Sequence, residues 1–261
     1  MNENDQNNKP SKLVDFLLVG AQKSGTTTLH SYLNDHPQIQ MASKKEVHFF
    51  NNNQFFLNPE RDYDFYHSWF DFDDTSKLRG EVTPAYLYCR DAAVRIWQYN
   101  PAMKIVIIIR DPIERAFSHW NMEFNRDAES LSFNEALLKE SERCREALPL
   151  QHYVYSYIDR GFYSSQIREY WRCFGKKQIL VLKYDHLREN LALVLKELFD
   201  FLEIDGALVS DFASHKKVLH KAKYAGSMDR SSSELLLKCY KYEVLQLENM
   251  LGWDCSRWLK R

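Results

Sequence analysis

The residues best suited to chemistry sit together in one stretch, Gly20-Ala-Gln-Lys23-Ser24-Gly25-Thr26-Thr27-Thr28-Leu29. It lies between a short aliphatic run, Phe16-Leu-Leu-Val19, and a segment of helical periodicity. Glycines at both ends let the backbone wrap tightly, and successive N–H groups with a helix N-terminus make an anion cradle. Lys23 adds a full positive charge, and Ser24, Thr26, Thr27 and Thr28 offer hydroxyl donors. Such a loop is built to hold a phosphate.

Gly20 and Gly25 stand at the spacing of the nucleotide-hydrolase loop G-x-x-x-x-G-K-[ST], but Thr26 occupies the lysine position and Lys23 precedes the second glycine. Such a hydrolase also needs an acid at the end of a neighbouring strand to hold magnesium. Here the run Lys104-Ile-Val-Ile-Ile-Ile109 ends in Arg110. The loop is therefore expected to bind phosphate without a metal.

Arg110 suggests a second anion site, because a guanidinium forks onto two oxygens and ligands of open α/β sheets bind beyond the strands' carboxyl ends. Ser118 follows two helical turns later. Two anion sites on one ledge imply a ligand with phosphates at two ends. A third candidate set is Glu46 and His48, which project to one side if their segment is extended. By itself, Glu46 in Lys44-Lys45-Glu46 reads as a solvated acid of a charged loop.

Three buried strands are expected to carry these groups: Phe16–Val19, Lys104–Ile109 and Ile179-Leu-Val-Leu-Lys-Tyr184. Each precedes a helix. Leu29, Tyr32 and Leu33 mark the first, which must stop near His36 because Pro37 disfavours helical geometry before it. Asp111-Pro112-Ile113-Glu114 opens the second with a capping acceptor, a proline and an acid three residues on. Ile113, Phe117 and Trp120 form its buried face. Leu191, Val194, Leu195, Leu198 and Leu202 stripe the third. Continuous apolar strands alternating with helices indicate a P-loop-like, three-layer α/β/α fold with a central, mostly parallel sheet. The charged segment 126–161 is expected to lie over the sheet's ligand edge, and the aromatics from Phe55 to Phe70 to pack as core.

The chain has 261 residues, enough for one domain over 13–261 behind a disordered polar tail at 1–12. Lys plus Arg number 35 against 36 Asp plus Glu, a balance that argues against a nucleic-acid partner. The beginning does not read as a signal peptide, and the longest aliphatic run is far short of a membrane span. Five scattered cysteines suggest reduced thiols and a cytoplasmic setting. His215 and His220 lack a supporting acid and read as surface residues, with no metal site.

Taken in order, these motifs resemble the sulfotransferases that use 3′-phosphoadenosine 5′-phosphosulfate (PAPS), most closely the carbohydrate branch with the heparan sulfate N- and 3-O-sulfotransferases. Lys23 to Leu29 is similar to the family's 5′-phosphosulfate loop. Ile109-Arg110-Asp-Pro-Ile-Glu-Arg115-Ala-Phe-Ser118 is similar to its 3′-phosphate element, with Arg110 and Ser118 as ligands. Lys45-Glu46-Val-His48-Phe-Phe50, Glu81-Val-Thr83-Pro84-Ala-Tyr86, Gly161-Phe-Tyr163 and Ile179 to Leu187 also match, so the resemblance runs from about Leu13 to Leu259. His220-Lys221-Ala-Lys223-Tyr224 resembles the Lys-Gly-Arg loop that closes over the donor, with Lys221 on the phosphosulfate and Lys223 in place of the arginine.

The resemblance implies in-line sulfuryl transfer from PAPS, leaving adenosine 3′,5′-bisphosphate (PAP), onto a hydroxyl or amine of a glycan or small molecule. It assigns Glu46 as base, with His48 assisting or replacing it. Lys23, helped by Lys221, is the choice to stabilise the leaving oxygen. Val82 departs from the pattern, since related enzymes carry a lysine there that reaches toward substrate; its loss implies a less anionic acceptor or a different pose. A metal-dependent kinase or NTPase and a catalytically silent nucleotide-binding module are the competing readings.

Overall fold

The computed structural model describes residues 12–58, 61–214, 224 and 226–260. Five strands form one sheet: β1 (Phe16–Gly20), β2 (Ile39–Met41), β3 (Leu78–Val82), β4 (Lys104–Ile109) and β5 (Ile179–Lys183). Their order is β2-β3-β1-β4-β5, and every neighbouring pair is parallel. Between and after them run α1 (Thr26–Asp35), α2 (Asp64–His67), α3 (Ala92–Tyr99), α4 (Pro112–Phe124), α5 (Phe133–Glu146) and α6 (Tyr163–Phe174). The remaining helices are α7 (Tyr184–Glu189), α8 (Leu191–Leu202), α9 (Val209–Ser214) and α10 (Arg230–Leu251). Among the described residues no helix is long and apolar enough to cross a membrane.

Alternation along the strands makes three layers. Leu17, Val19, Ile105, Ile107 and Ile109 face a core built with α3, α4, α6 and α10, whereas Phe16, Leu18, Val106 and Ile108 face one built with α1 and α8. Both faces are dry, so the strands read as unbroken apolar runs. The expected parallel, three-layer architecture is what the chain adopts. The stripe Leu191, Val194, Leu195, Leu198 and Leu202 is buried throughout, as are Ile113, Phe117 and Trp120.

Two strands escaped sequence reasoning. β2 has only three residues, and β3 reads Leu-Arg-Gly-Glu-Val, with charged residues on both sides of its central glycine. Glu81 is tolerated there because hydroxyls satisfy its carboxylate: Tyr66 and Tyr86 each donate at 2.8 Å and Thr83 at 2.5 Å. Gly80 leaves room for Phe16, since a Cβ there would meet its ring at 2.0 Å.

The strand order creates the ligand edge. From β1 the chain moves outward to β2 and returns through β3, then crosses to β4 on the other side of β1. The carboxyl ends of β1 and β4 therefore flank the point where connections diverge, the usual crevice of such sheets. Ala21 N donates to Ile108 O at 2.7 Å, fastening the first loop to β4.

Candidate active site

The loop after β1 leads into a helix start that no side chain caps. Gly25 is the N-cap of α1, at φ 93°. Helix geometry leaves the N–H groups of Thr26 and Thr27 without intrahelical partners, aimed out of the helix start with its positive dipole end. A side chain at 25 would be both strained and crowded, because a Cβ would lie 2.9 Å from Tyr184 and from Leu187. Ser24 Oγ is buried and has no hydrogen-bond partner among the described residues.

Lys23 sits at φ 70°. Burial, then the neighbouring Arg126 guanidinium, pull its ammonium below the usual lysine value. Arg110, at the tip of β4, donates to the Lys23 carbonyl at 3.5 Å, so the two cationic side chains share one ledge. Its guanidinium also pairs with Glu114 at 3.3 Å and lies over the Tyr184 ring at 5.0 Å. Asp111 caps α4 by accepting from Ile113 N at 2.9 Å. Ser118 is buried on the same helix. Lys221 and Lys223 lie outside the described residues, as do His215 and His220. Tyr224, which follows them, stacks on Phe117 beside Ser118, with ring centroids 5.4 Å apart.

Glu46 and His48 do face one another, but not for the expected reason. Both are at φ 59°, so the segment is not extended, and its two left-handed residues turn the side chains together. Glu46 Oε2 is 3.6 Å from His48 Nε2, while His48 Nδ1 lies 3.3 Å from Asn51 Oδ1. The His48 contact, with help from Lys45, holds the Glu46 carboxyl below its ordinary value.

The strained segment is fixed by the Glu81 network. Glu46 N donates to Val82 O at 3.1 Å, and His48 N reaches Thr83 Oγ1 at 3.5 Å. Tyr86, which donates to Glu81, also accepts from Phe49 N at 3.0 Å. The motif from Glu81 to Tyr86 is thus a clamp for the motif from Lys45 to Phe50.

Glu46 and His48 open onto a cleft of about 660 Å³, with Gln22, Glu123, Arg126 and Tyr153 among its walls. Segment 126–161 does supply much of this wall, as its charge pattern suggested. Glu140 of α5 accepts from Ile158 N at 2.7 Å and Asp159 N at 2.8 Å, bracing the turn before Arg160.

A family model described as a sulfotransferase domain matches residues 13–223. The chain belongs to the sulfotransferase family. A sulfotransferase from Alicyclobacillus acidocaldarius superposes with a TM-score of 0.80 at 29% identity, covering 95% of this chain and 99% of that one. The bifunctional heparan sulfate N-deacetylase/N-sulfotransferase 3 of Mus musculus is 29% identical over 96% of this chain, which spans 31% of that protein. The membrane-associated sulfotransferase kil1 of Dictyostelium discoideum is 24% identical over 93% of this chain, which spans 66% of that protein.

Within this sulfotransferase-family fold, four side chains were given no role from the sequence. Lys45 donates to Thr27 Oγ1 at 2.7 Å. Glu123, one turn beyond Ser118 on α4, lines the cleft as a second carboxylate, and burial raises its pKa. Arg126 and Arg160 complete the wall. Only the charged run Lys44-Lys45-Glu46 hinted at any of them.

Val82 lies in the core and does not line the cleft. Its side chain is fully buried in the core toward α1, on the opposite sheet face from Glu81. Its apolar character suits that core. The aromatics from Phe55 to Phe70 pack largely on one another and on Phe49 and Phe50, for example Phe49 on Tyr66 at 4.9 Å. All five cysteines are free.

Proposed function

We propose that this chain is a sulfotransferase that moves a sulfuryl group from PAPS to a hydroxyl or amine of a carbohydrate or small-molecule acceptor. The carrying observation is the convergence of Lys23 and Arg110 on one ledge, with the Glu46 carboxylate facing the adjoining cleft. The uncapped start of α1, the orphaned Ser24 hydroxyl and the nearby cations fit a phosphosulfate. Lys23, Ser24, Gly25, Thr26, Thr27 and Thr28 would hold that end, and Arg110 and Ser118 the 3′-phosphate. Lys221 and Lys223 would close over the nucleotide. Relatives named for heparan sulfate favour a carbohydrate acceptor.

When bound, the donor supplies a sulfuryl group whose bond to the 5′-phosphate oxygen breaks as a bond to the acceptor oxygen or nitrogen forms. Glu46 takes the proton that the acceptor loses, and His48 steadies the carboxylate that receives it. Lys23, at the loop's apex, neutralises the negative charge left on the phosphate oxygen. A sulfuryl group carries less negative charge than a phosphoryl group, so ammonium and backbone donors can meet its electrostatic demand.

The test is transfer of radiolabelled sulfate from PAPS over a panel of sugars, lipids and small metabolites, run beside calorimetry with PAP. Transfer that is lost in Glu46→Ala while PAP binding persists supports the reading. Magnesium-dependent ATP hydrolysis, or PAP affinity too weak to measure, overturns it.

A further inference from the structure

Lys45 joins two parts of the site that the chain brings from different elements. Its ammonium donates to Thr27 Oγ1 at 2.7 Å and lies 3.6 Å from Glu46 Oε1. Thr27 belongs to the first turn of α1, on the phosphate loop, and Glu46 faces the cleft. An ammonium has three N–H donors. Two are directed at Thr27 and Glu46, and with the side chain 31% exposed the third is open to a ligand.

An ordinary surface ion pair would explain the Glu46 contact, since such pairs form readily and contribute little. It would not explain the short bond to Thr27, which draws the lysine over the helix start. That position lies between the loop that grips the phosphate end of the donor and the carboxylate that meets the acceptor.

We propose that Lys45 is a sulfate-contacting cation: it binds the oxygens of the transferring sulfuryl group and simultaneously aligns Glu46. This rests on the function proposed above. During transfer the sulfur exchanges its bond to the phosphate oxygen for one to the acceptor atom, the electron pair stays on the phosphate, and the acceptor's proton goes to Glu46. Lys45 changes no bond. It balances charge on the sulfuryl oxygens throughout, and other titratable groups near it are Glu46, His48 and His30.

PAPS and PAP differ at this end only by the sulfate, which makes the inference testable without knowing the acceptor. Affinities for both are measured by calorimetry with the full chain and with Lys45→Met and Lys45→Arg. Lys45→Met should weaken PAPS at least tenfold and PAP less than threefold, and Lys45→Arg should recover most of the PAPS loss. Equal weakening of the two nucleotides, or none, overturns the role of Lys45 while leaving the sulfotransferase reading intact. A wild-type chain that binds neither nucleotide overturns both.

Discussion

The Tyr86 hydroxyl donates to Glu81 Oε1 at 2.8 Å and in turn accepts from Phe49 N at 3.0 Å, so one phenol ties a buried carboxylate to the segment carrying Glu46. Glu81 lies at the centre of the fold rather than in the cleft, and burial raises its pKa despite its hydroxyl partners. Tyr86→Phe removes one of these donors and orphans the backbone N–H groups of Phe49 and Phe50. The expected cost is about 1–3 kcal/mol in chemical denaturation. Transfer should fall further than stability predicts, because Glu46 and His48 lose their anchor, while PAP binding should hold.

Glu46 and His48 make opposite predictions under mutation. Glu46→Ala should lower kcat at least a hundredfold, in the range of a lost general base. Near-normal turnover would transfer that role to His48. Because the His48 contact depresses the Glu46 pKa, the acid limb of kcat/KM should lie below 4.5 in the wild type. In His48→Ala that limb should move up toward 4.5; a downward move would contradict the pairing.

Gly25→Ala tests the anion cradle. Position 25 is at φ 93°, and a methyl group would press on Tyr184 and Leu187 at 2.9 Å. Left-handed strain of roughly 1–2 kcal/mol, plus displacement of the loop, should weaken PAP by more than tenfold. Calorimetry reads this directly. Unaltered affinity would mean that the loop does not grip the nucleotide.

Arg110→Lys keeps the charge but loses the fork. Bidentate recognition of a phosphate is thereby reduced to a point contact. PAP should weaken about tenfold, whereas adenosine 5′-monophosphate, which lacks the 3′-phosphate, should be affected far less. Equal effects on both ligands would remove Arg110 from the 3′-phosphate.

Glu140 should make stability depend on pH. Burial pushes its carboxyl from 4.5 up to about 7 despite two backbone donors. A raised carboxyl pKa means that the folded state holds the proton more tightly. Its contribution is therefore fully present below pH 4.5 and is lost as pH rises toward about 7, by at most about 3 kcal/mol. Glu140→Gln should flatten that fall in urea denaturation measured from pH 4.5 to 7.5. An unchanged slope would refute the assignment.

What could be read along the chain was whatever depends on near neighbours. Unbroken aliphatic runs announced β1, β4 and β5, Pro37 stopped α1 just before it, and Asp111-Pro112 opened α4 as expected. The glycines and threonines of the first loop announced a wrapped turn opening a helix, because both are local features. Arg110 was legible as the polar residue ending an apolar strand.

The remainder depended on contacts between distant segments, which leave no periodic trace. Lys23 and Arg110 are 87 positions apart and meet because β4 pairs with β1. Lys45 reaches Thr27 across 18 positions, and Glu81 finds Tyr66 across 15. β3 stayed hidden because its stability comes from those hydroxyl partners and from Phe16 packing over Gly80, not from an apolar pattern of its own. Val82 read along the chain as a missing charge, and sheet alternation turned it into the core. Composition declared which groups were available for chemistry. Strand order and burial determined which of them share a cleft, because only a folded chain sets the distance and direction between side chains far apart in sequence.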